Sequence, residues 1–556
     1  MSTLEQDAQA LASQEPRSLS DFYRAAAMQA VRRVAGNLDR RPWSDTFGCF
    51  DREYWFYKTL QDFPRPAFQQ GIWPLALLYK QAFPGNEFTR NPAVLQWLQG
   101  GLDFWSRECH PDGPVDEWYR HERSFCATAF TSAAAGETLL LLGEEVDPAC
   151  RRRVENCLEK TLHWLKRYPS RAASNQMAAA WLAAVSFSPK SSENWKKEFL
   201  TLQDAEGWFP EYGGPDIGYN LLTLSLLARV WDRTRDPDLS AALDKLLDFI
   251  GHFAHPQGWI GGIYGNRYTA HVFPHGIEYF AARGNQKAAA ILPALRTTLL
   301  AGRVPLPATT DDTYAHYFYS TDFCLAACEE PLPVSGEAAR PFCSQAFPNA
   351  GWVTHAGNAY QAVLNTRTGN WWAVSSDGKT ITGDSGYVLV DQAGRCYGSG
   401  QGRFHSTAAH PKLSGDTLEV KSYAPFGKLD TSLPRKEHPF LFQAWTRGPL
   451  ASPGLSRFFH RFLKRRNVYP PPLKGVTLSR TWVLKPDCVE LTDEIRTDGS
   501  LSVKALYCAA EGTGMQSPSS QFYTPSLLGL EKPSALQEEA AMLRRQGHVQ
   551  LHRVFF

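Results

Sequence analysis

DGPVDEWYRHERSFCATAF (Asp112–Phe130) and EGWFPEYGGPDIGYNLLTL (Glu206–Leu224) decide the fold, because the second repeats the plan of the first. In each, an acidic residue and a glycine are followed four residues after the glycine by a glutamate, Glu117 or Glu211. Eight residues beyond that glutamate an aromatic side chain, Phe125 or Tyr219, opens an apolar run. The two aromatics stand 94 residues apart, about twice the length of a helical hairpin, so one unit is expected between them.

RAASNQMAAAWLAAV (Arg171–Val185) supplies that unit, with Ser174 placed to cap an alanine-rich helix. Comparable apolar segments open at Phe68 (FQQGIWPLALLY), His271 (HVFPHGIEYFAA) and Tyr317 (YFYSTDFCLAAC), which brings the count to six. Between them run NPAVLQWLQGGLDFW, CRRRVENCLEKTLHWLKRY, LSAALDKLLDFIGHFA and NQKAAAILPALRTTLL, with apolar residues at three-and-four spacing and charges between. The first set reads as inner helices enclosed by neighbours and the second as outer helices with one solvated face. Six such pairs close into an (α/α)6 toroid.

Beyond Glu330 the texture changes. PLPVSGEAARPF reads as a linker, and from GWVTHAGNAYQAVLNTRTGNWWAVSSDG onward short alternating runs separated by Gly, Asn and Asp turns replace helical periodicity. The expected organisation is a polar tail over 1–20, the toroid over 21–330, a linker over 331–345 and an antiparallel β-sandwich over 346–556, an α+β multidomain chain.

Composition narrows the function. The formal charge is +2, from 58 Lys and Arg against 56 Asp and Glu, too small a field to argue for nucleic acid. No apolar run approaches the roughly 20 residues of a membrane span. The 17 Trp, 21 Tyr and 32 Phe suit either a core or a cleft that stacks sugar rings. The 11 cysteines lack paired spacing and read as reduced, mostly buried thiols; Cys324 and Cys328 are too isolated to make a metal site, and no cofactor is expected. The opening MSTLEQDAQALASQEPRSLS lacks a basic-then-apolar leader, so the expectation is a cytoplasmic protein, with an unrecognised export route as the alternative. Nothing in the sequence fixes an oligomeric state.

In such a toroid the loops entering the inner helices open on one end of the ring, where ligand sites form. Those loops carry Gln69, Glu122, Arg123, Asn175, Gln176, Tyr219, Asn220, Arg267, Tyr268 and His271.

ITGDSGYVLVDQAGRCYGSGQGRFHSTAAHPKLSGDTLEV (Ile381–Val420) resembles the β-domain signature of heparinase II/III-like polysaccharide lyases, through Asp384, Gly394, Tyr397, the run Ser406–His410 and Asp416. RTWVLKPDCVELTDEI (Arg480–Ile495) is similar to the strand pair near the end of that family, and Asn175 and Tyr219 stand where its members carry an Asn and a catalytic Tyr. The resemblance implies β-elimination on an acidic poly- or oligosaccharide. It also marks two departures. The family's His before the Asp falls at Thr382, and Gln176 replaces the His that often follows the Asn, leaving His271, His275, His405 and His410 as candidate imidazoles.

Elimination from a uronic acid needs a neutraliser for the carboxylate, a base for the C5 proton and an acid for the departing C4 oxygen. Asn175 is the candidate neutraliser or else a helix cap, with Gln176 or Arg267 in support; Tyr219 is the candidate base and acid or else a packing aromatic; His271 is a candidate base or a satisfied structural histidine. Arg123 either binds a carboxylate or pairs with Glu122. Two other readings stand beside this one. A glycoside hydrolase would use rim carboxylates such as Asp112, Glu117, Glu122, Glu211 and Asp216, although the repeat equivalence of Glu117 and Glu211 suits a structural role for both. A non-catalytic carbohydrate-binding or polysaccharide-assembly protein would keep the toroid and lose the chemistry.

Overall fold

The computed structural model describes residues 19–58, 62–187, 192–269, 271–329, 341–401, 411–429, 470–509, 513–514 and 534–556, with isolated positions between 452 and 462. The helices that build its ring are α1 (Leu19–Asn37), α2 (Ile72–Lys80), α3 (Pro92–Glu108), α4 (Phe125–Leu142), α5 (Pro148–Arg167), α6 (Ser174–Phe187), α7 (Glu193–Leu200), α8 (Ile217–Thr234), α9 (Pro237–Gly251), α10 (His275–Ala282), α11 (Gln286–Leu300) and α12 (Ser320–Cys328). Helices α2, α4, α6, α8, α10 and α12 each pack on the next, and α12 returns to α2 to close an inner ring. Helices α3, α5, α7, α9 and α11 each back the inner helix that precedes them. The sixth outer place is taken by α1, which packs on α12 and α2, so the first helix of the ring covers the last.

The outer helices share a start signal. Asn91, Asp147 and Asp236 each accept a backbone N–H in the first turn, and each is followed by a proline whose missing N–H costs nothing there. Asn285 caps α11 without a proline. The inner helices are apolar all round: α4 buries nearly every side chain from Ala127 to Leu139, and α6 likewise from Met177 to Ser186. By length and composition α4 would suit a membrane, but it lies packed inside the ring.

Why glycine precedes each repeated glutamate is now evident. Gly113 and Gly207 adopt φ of +108° and +100°, and a Cβ on either would overlap an outer-helix backbone, Lys160 in α5 or Lys245 in α9. Only glycine lets these loops lie that close.

The reading that His271 begins an inner helix is corrected. Helix α10 starts at His275, because Pro274 disfavours helical dihedrals at Phe273 and leaves His271 outside the helix. Likewise, a π-turn over Ala315–Tyr319 precedes α12. The reading of all cysteines as reduced thiols is corrected too: Cys109 at the end of α3 and Cys157 in α5 form a disulfide, joining residues 48 apart that no spacing rule connects.

The second part of the chain is antiparallel. Strands β1 (Gln345–Phe347), β2 (Trp352–Ala356), β3 (Tyr360–Asn365), β4 (Trp371–Ser375) and β5 (Ile381–Asp384) form a five-stranded meander. Strands β6 (Tyr387–Asp391), β7 (Cys396–Gly398), β8 (Lys412–Ser414), β9 (Thr417–Leu429), β10 (Pro472–Leu484), β11 (Val489–Thr497), β12 (Val503–Cys508), β13 (Ser534–Ala535) and β14 (His548–Phe555) form a larger sheet in the order β13-β12-β6-β7-β9-β10-β11-β14, with β8 on β9. A helix not anticipated from sequence, α13 (Gln537–Gln546), packs on β12 and β14.

Alternation explains why the meander is apolar on both faces. Val353, Tyr360, Ala362, Leu364, Trp371 and Ala373 pack against Val420, Trp482, Leu484 and Leu491 of the larger sheet. Their neighbours Trp352, Val363, Trp372 and Val374 belong to the toroid's core. The meander is thus the middle layer between toroid and large sheet. Its seam with the toroid is aromatic: Trp352 meets Phe249, Phe253 and Tyr264 at centroid distances of 4.9–5.9 Å.

The candidate active site

The two repeat loops are built alike but tied off differently. In the first, Val115 bridges Ser124, the N-cap of α4. Glu122, 2% exposed, turns inward and accepts the backbone N–H groups of Glu117 (3.0 Å) and Trp118 (2.7 Å), while Glu117 accepts the Ser124 hydroxyl (2.6 Å). In the second, Glu211 bridges Ala173 of the neighbouring loop, and Asp216, equivalent to Glu122, caps α8 through the Tyr219 N–H (3.2 Å). Asp216 also accepts the Arg267 N–H (2.9 Å) and the Thr269 hydroxyl. That pair of bonds fixes the loop before α10 on the start of α8.

Six side chains are thereby brought into one cluster. Glu211, 1% exposed, accepts Asn175 Nδ2 on one oxygen (2.7 Å) and Arg267 Nη1 on the other (2.7 Å). The Arg267 guanidinium lies over the rings of Tyr212 (4.8 Å) and Tyr219 (5.2 Å). The Tyr219 ring meets His271 edge to face at 5.5 Å, and His271 is walled by Phe273, Tyr314 and Tyr319. Burial alone would lower the Arg267 pKa, yet Tyr219 and Glu211 raise it above its ordinary value. A permanent cation thus stands beside the Tyr219 phenol.

Four of the eight non-glycine residues with positive φ among the described residues lie in the loops of this rim. His121, Arg123, Tyr212 and Tyr268 all have positive φ, between +51° and +67°, although none is glycine. Residues held in this region mark sites whose surroundings over-determine the conformation.

Charge on the rim is mostly negative, and it is not uniformly ionised. Burial first, and then the neighbouring Glu117, push the Glu122 carboxyl up to about 8. Burial likewise raises Asp216. Asp116 goes the other way: burial opposes ionisation, but the hydrogen bond from His110 (2.9 Å) and the N–H groups of Arg123 and His121 hold it below its ordinary value.

The remaining sequence candidates lie elsewhere or are spent on the scaffold. Gln69 bonds the backbone of Phe50, Gly48 and Gly101. Asn220 bonds Phe209 through both amide atoms. His275 is buried against Ser225 (2.9 Å), where burial holds its pKa well below the ordinary value. Arg123 pairs with Asp112 (3.3 Å) rather than Glu122. Gln176 is half-buried at the start of α6 beside Asn175. The Tyr268 hydroxyl points to Thr513 of the β-domain (3.4 Å). His405 and His410, with the Ser406–His410 run, lie outside the described residues.

Asp384 lies within the sandwich. It binds Arg480 (2.6 Å) and Arg553 (3.1 Å), and Arg480, with no exposed surface, also binds Asp493 (2.7 Å). Thr382 pairs with Ala373 and shares a strand face with Asp384, the face toward the large sheet. A side chain at 382 therefore points away from the Asn175–Tyr219 cluster. Tyr212 and Tyr314 were not singled out from sequence; the Arg267 guanidinium over one ring and the tilted contact of the other with His271 at 5.5 Å reveal them.

No family model and no curated protein matches the chain. Solved structures do, as polysaccharide lyases: a chondroitin AC lyase of Streptomyces coelicolor A3 solved as a point mutant (12% identity, 89% of this chain and 69% of that one, TM-score 0.46), a heparinase III (10%, 87% and 71%, 0.37) and a chondroitinase AC lyase with oligosaccharides (13%, 87% and 69%, 0.40).

Proposed function

We propose that this protein is a carbon–oxygen lyase that cleaves a uronic-acid-containing poly- or oligosaccharide by β-elimination at the Asn175–Tyr219 cluster. The observation that carries the reading is the arrangement of an amide, a guanidinium, a phenol and an imidazole around one buried carboxylate, Glu211. Arg267 and Asn175 face the substrate carboxylate with N–H groups that Glu211 does not use, and so stabilise the charge that builds on it as the C5–H bond breaks. Tyr219 takes that proton as phenolate and returns one to the C4 oxygen as the C4–O bond breaks and the C4–C5 double bond forms. His271, against the Tyr219 ring, orients it in an aromatic, water-poor wall.

A glycoside-hydrolase reading is favoured by one observation: burial, and then the neighbouring Glu117, push the Glu122 carboxyl up to about 8 and so keep it protonated near neutral pH. The products separate the two: each cut creates one reducing end in either reaction, but only elimination leaves an ultraviolet-absorbing C4–C5 double bond on the other piece. Under the lyase reading Asn175→Ala lowers turnover about 100-fold, as expected for one lost donor to a developing anion. Reducing ends without absorbance, abolished in Glu122→Gln, would replace it with hydrolysis.

A further inference from the structure

The loop that carries Arg267 is held by the β-domain as well as by the toroid. From the meander, Asn365 Nδ2 donates to the Tyr264 carbonyl (2.8 Å) and Asn370 Nδ2 to the Ile263 carbonyl (2.9 Å). Both asparagines are buried. From the large-sheet side, Thr513 is fully buried and its hydroxyl bonds Ser385 (2.6 Å to the carbonyl) while lying 3.4 Å from the Tyr268 hydroxyl. Two glycines complete that contact. A Cβ added at Gly400 or at Gly514 would overlap the Tyr268 hydroxyl, so these positions form a cradle shaped to the tyrosine.

Tyr268 itself has φ +56°, a left-handed conformation that a bulky residue holds only where its surroundings enforce it. Its backbone turn, closed by the N–H to the Gly265 carbonyl (3.2 Å), sends residue 268 toward the sandwich. Arg267 leaves toward Glu211 and Tyr219. The two adjacent side chains thus leave one strained turn for opposite partners. On the toroid side the turn is held by Asn266 Nδ2, which donates to the carbonyls of Glu211 and Tyr212 (both 2.8 Å), and by the Arg267 N–H on Asp216.

We infer that Tyr268, seated in the Gly400–Gly514 cradle, is a positioning residue through which the β-domain sets the direction of the Arg267 guanidinium. Loss of the cradle lets the turn relax, and Arg267 then swings from the Tyr219 ring. This deepens the lyase reading, since it assigns the sandwich a part in catalysis, but its geometry stands without that reading.

The experiment uses the full chain and two readouts. Hydrogen exchange of the backbone over 262–269 is compared in the unaltered protein, Tyr268→Phe, Gly400→Ala and the double variant. Tyr268→Phe removes the hydroxyl without adding bulk and is expected to speed exchange in this loop about fivefold, the scale of one lost hydrogen bond. Gly400→Ala drives the tyrosine out and is expected to speed it tenfold or more, on the order of an overpacking strain. The double variant should return part of the way toward Tyr268→Phe, because the hydroxyl that the added Cβ overlaps is gone while Thr513 Oγ1, at 2.9 Å, remains. Exchange in α5, remote from the seam, should stay unchanged in all three. Turnover on uronide oligosaccharides is then expected to fall in the same order, with KM changing less than kcat. Unchanged loop exchange in Tyr268→Phe and Gly400→Ala, or acceleration spread evenly through α5, overturns the inference. Loosened loops with no lyase activity in the unaltered protein uphold the positioning and sink the lyase reading instead.

Discussion

Replacing Glu211 by glutamine tests the centre of the cluster. The carboxylate is 1% exposed and its two oxygens each receive one charged or amide donor at 2.7 Å. Glutamine keeps the shape but turns one acceptor into a donor, which faces either the Asn175 amide or the Arg267 guanidinium. One charge-assisted bond is lost, worth about 1.5–3 kcal/mol, and the largely buried Arg267 loses its counterion. The expected destabilisation is about 3 kcal/mol in urea unfolding, with the m-value unchanged. In an Arg267→Ala background the same substitution should cost about 2 kcal/mol less, since the ion pair is already gone. Turnover should fall with it, because Asn175 and Arg267 lose their common anchor. A coupling below about 0.5 kcal/mol would show that Glu211 does not hold Arg267, and the reasoning from shared carboxylate to ordered donors would fail.

Acid should release the clamp inside the sandwich. Burial opposes ionisation of Asp384, but Arg480 and Arg553 hold it at about 2 against an ordinary 3.8, so its contribution, about 2 kcal/mol, is present above pH 3.8 and lost as pH falls toward 2. Asp384→Asn should flatten that limb of a stability–pH curve; an unchanged limb would assign the acid sensitivity elsewhere. Glu122 has the opposite sign: its folded pKa of about 8 lies above the ordinary 4.5, so its contribution is complete below 4.5 and fades as pH rises through 8. Glu122→Gln should therefore lose less stability between pH 6 and 9 than the unaltered protein, as followed by thermal unfolding. Gly207→Ala, which forces a Cβ onto α9 at φ +100°, should cost about 2–4 kcal/mol, and a neutral result would remove the close-approach account of the repeat.

The ring was legible because its signals repeat. Gly113 and Gly207, the capping Asn91, Asp147 and Asp236, and the lysine-poor inner helices all follow from local chemistry that recurs around the toroid. Short apolar runs such as WWAVS and YQAVLN pointed to an antiparallel sheet, although they do not say that one face meets helices and the other a sheet. The cluster was half legible. Asn175 and Tyr219 stand at recurring helix starts, whereas Glu211 as the common partner of Asn175 and Arg267 depends on residues 36 and 56 apart in sequence. Placing His271 at a helix start failed on Pro274, and Asp384 read as part of a motif proves to be half of a buried ion network. Such pairings come from ring closure and layer stacking, which no local window contains.

The most direct test is the absorbance of a newly formed C4–C5 double bond when the purified protein is incubated with uronic-acid oligosaccharides, run beside Tyr219→Phe. The account predicts a steady rise for the unaltered protein and a loss of about 100-fold or more in the folded variant, since phenylalanine keeps the ring beside Arg267 and His271 but has no proton to move. An equal rise in both would contradict it.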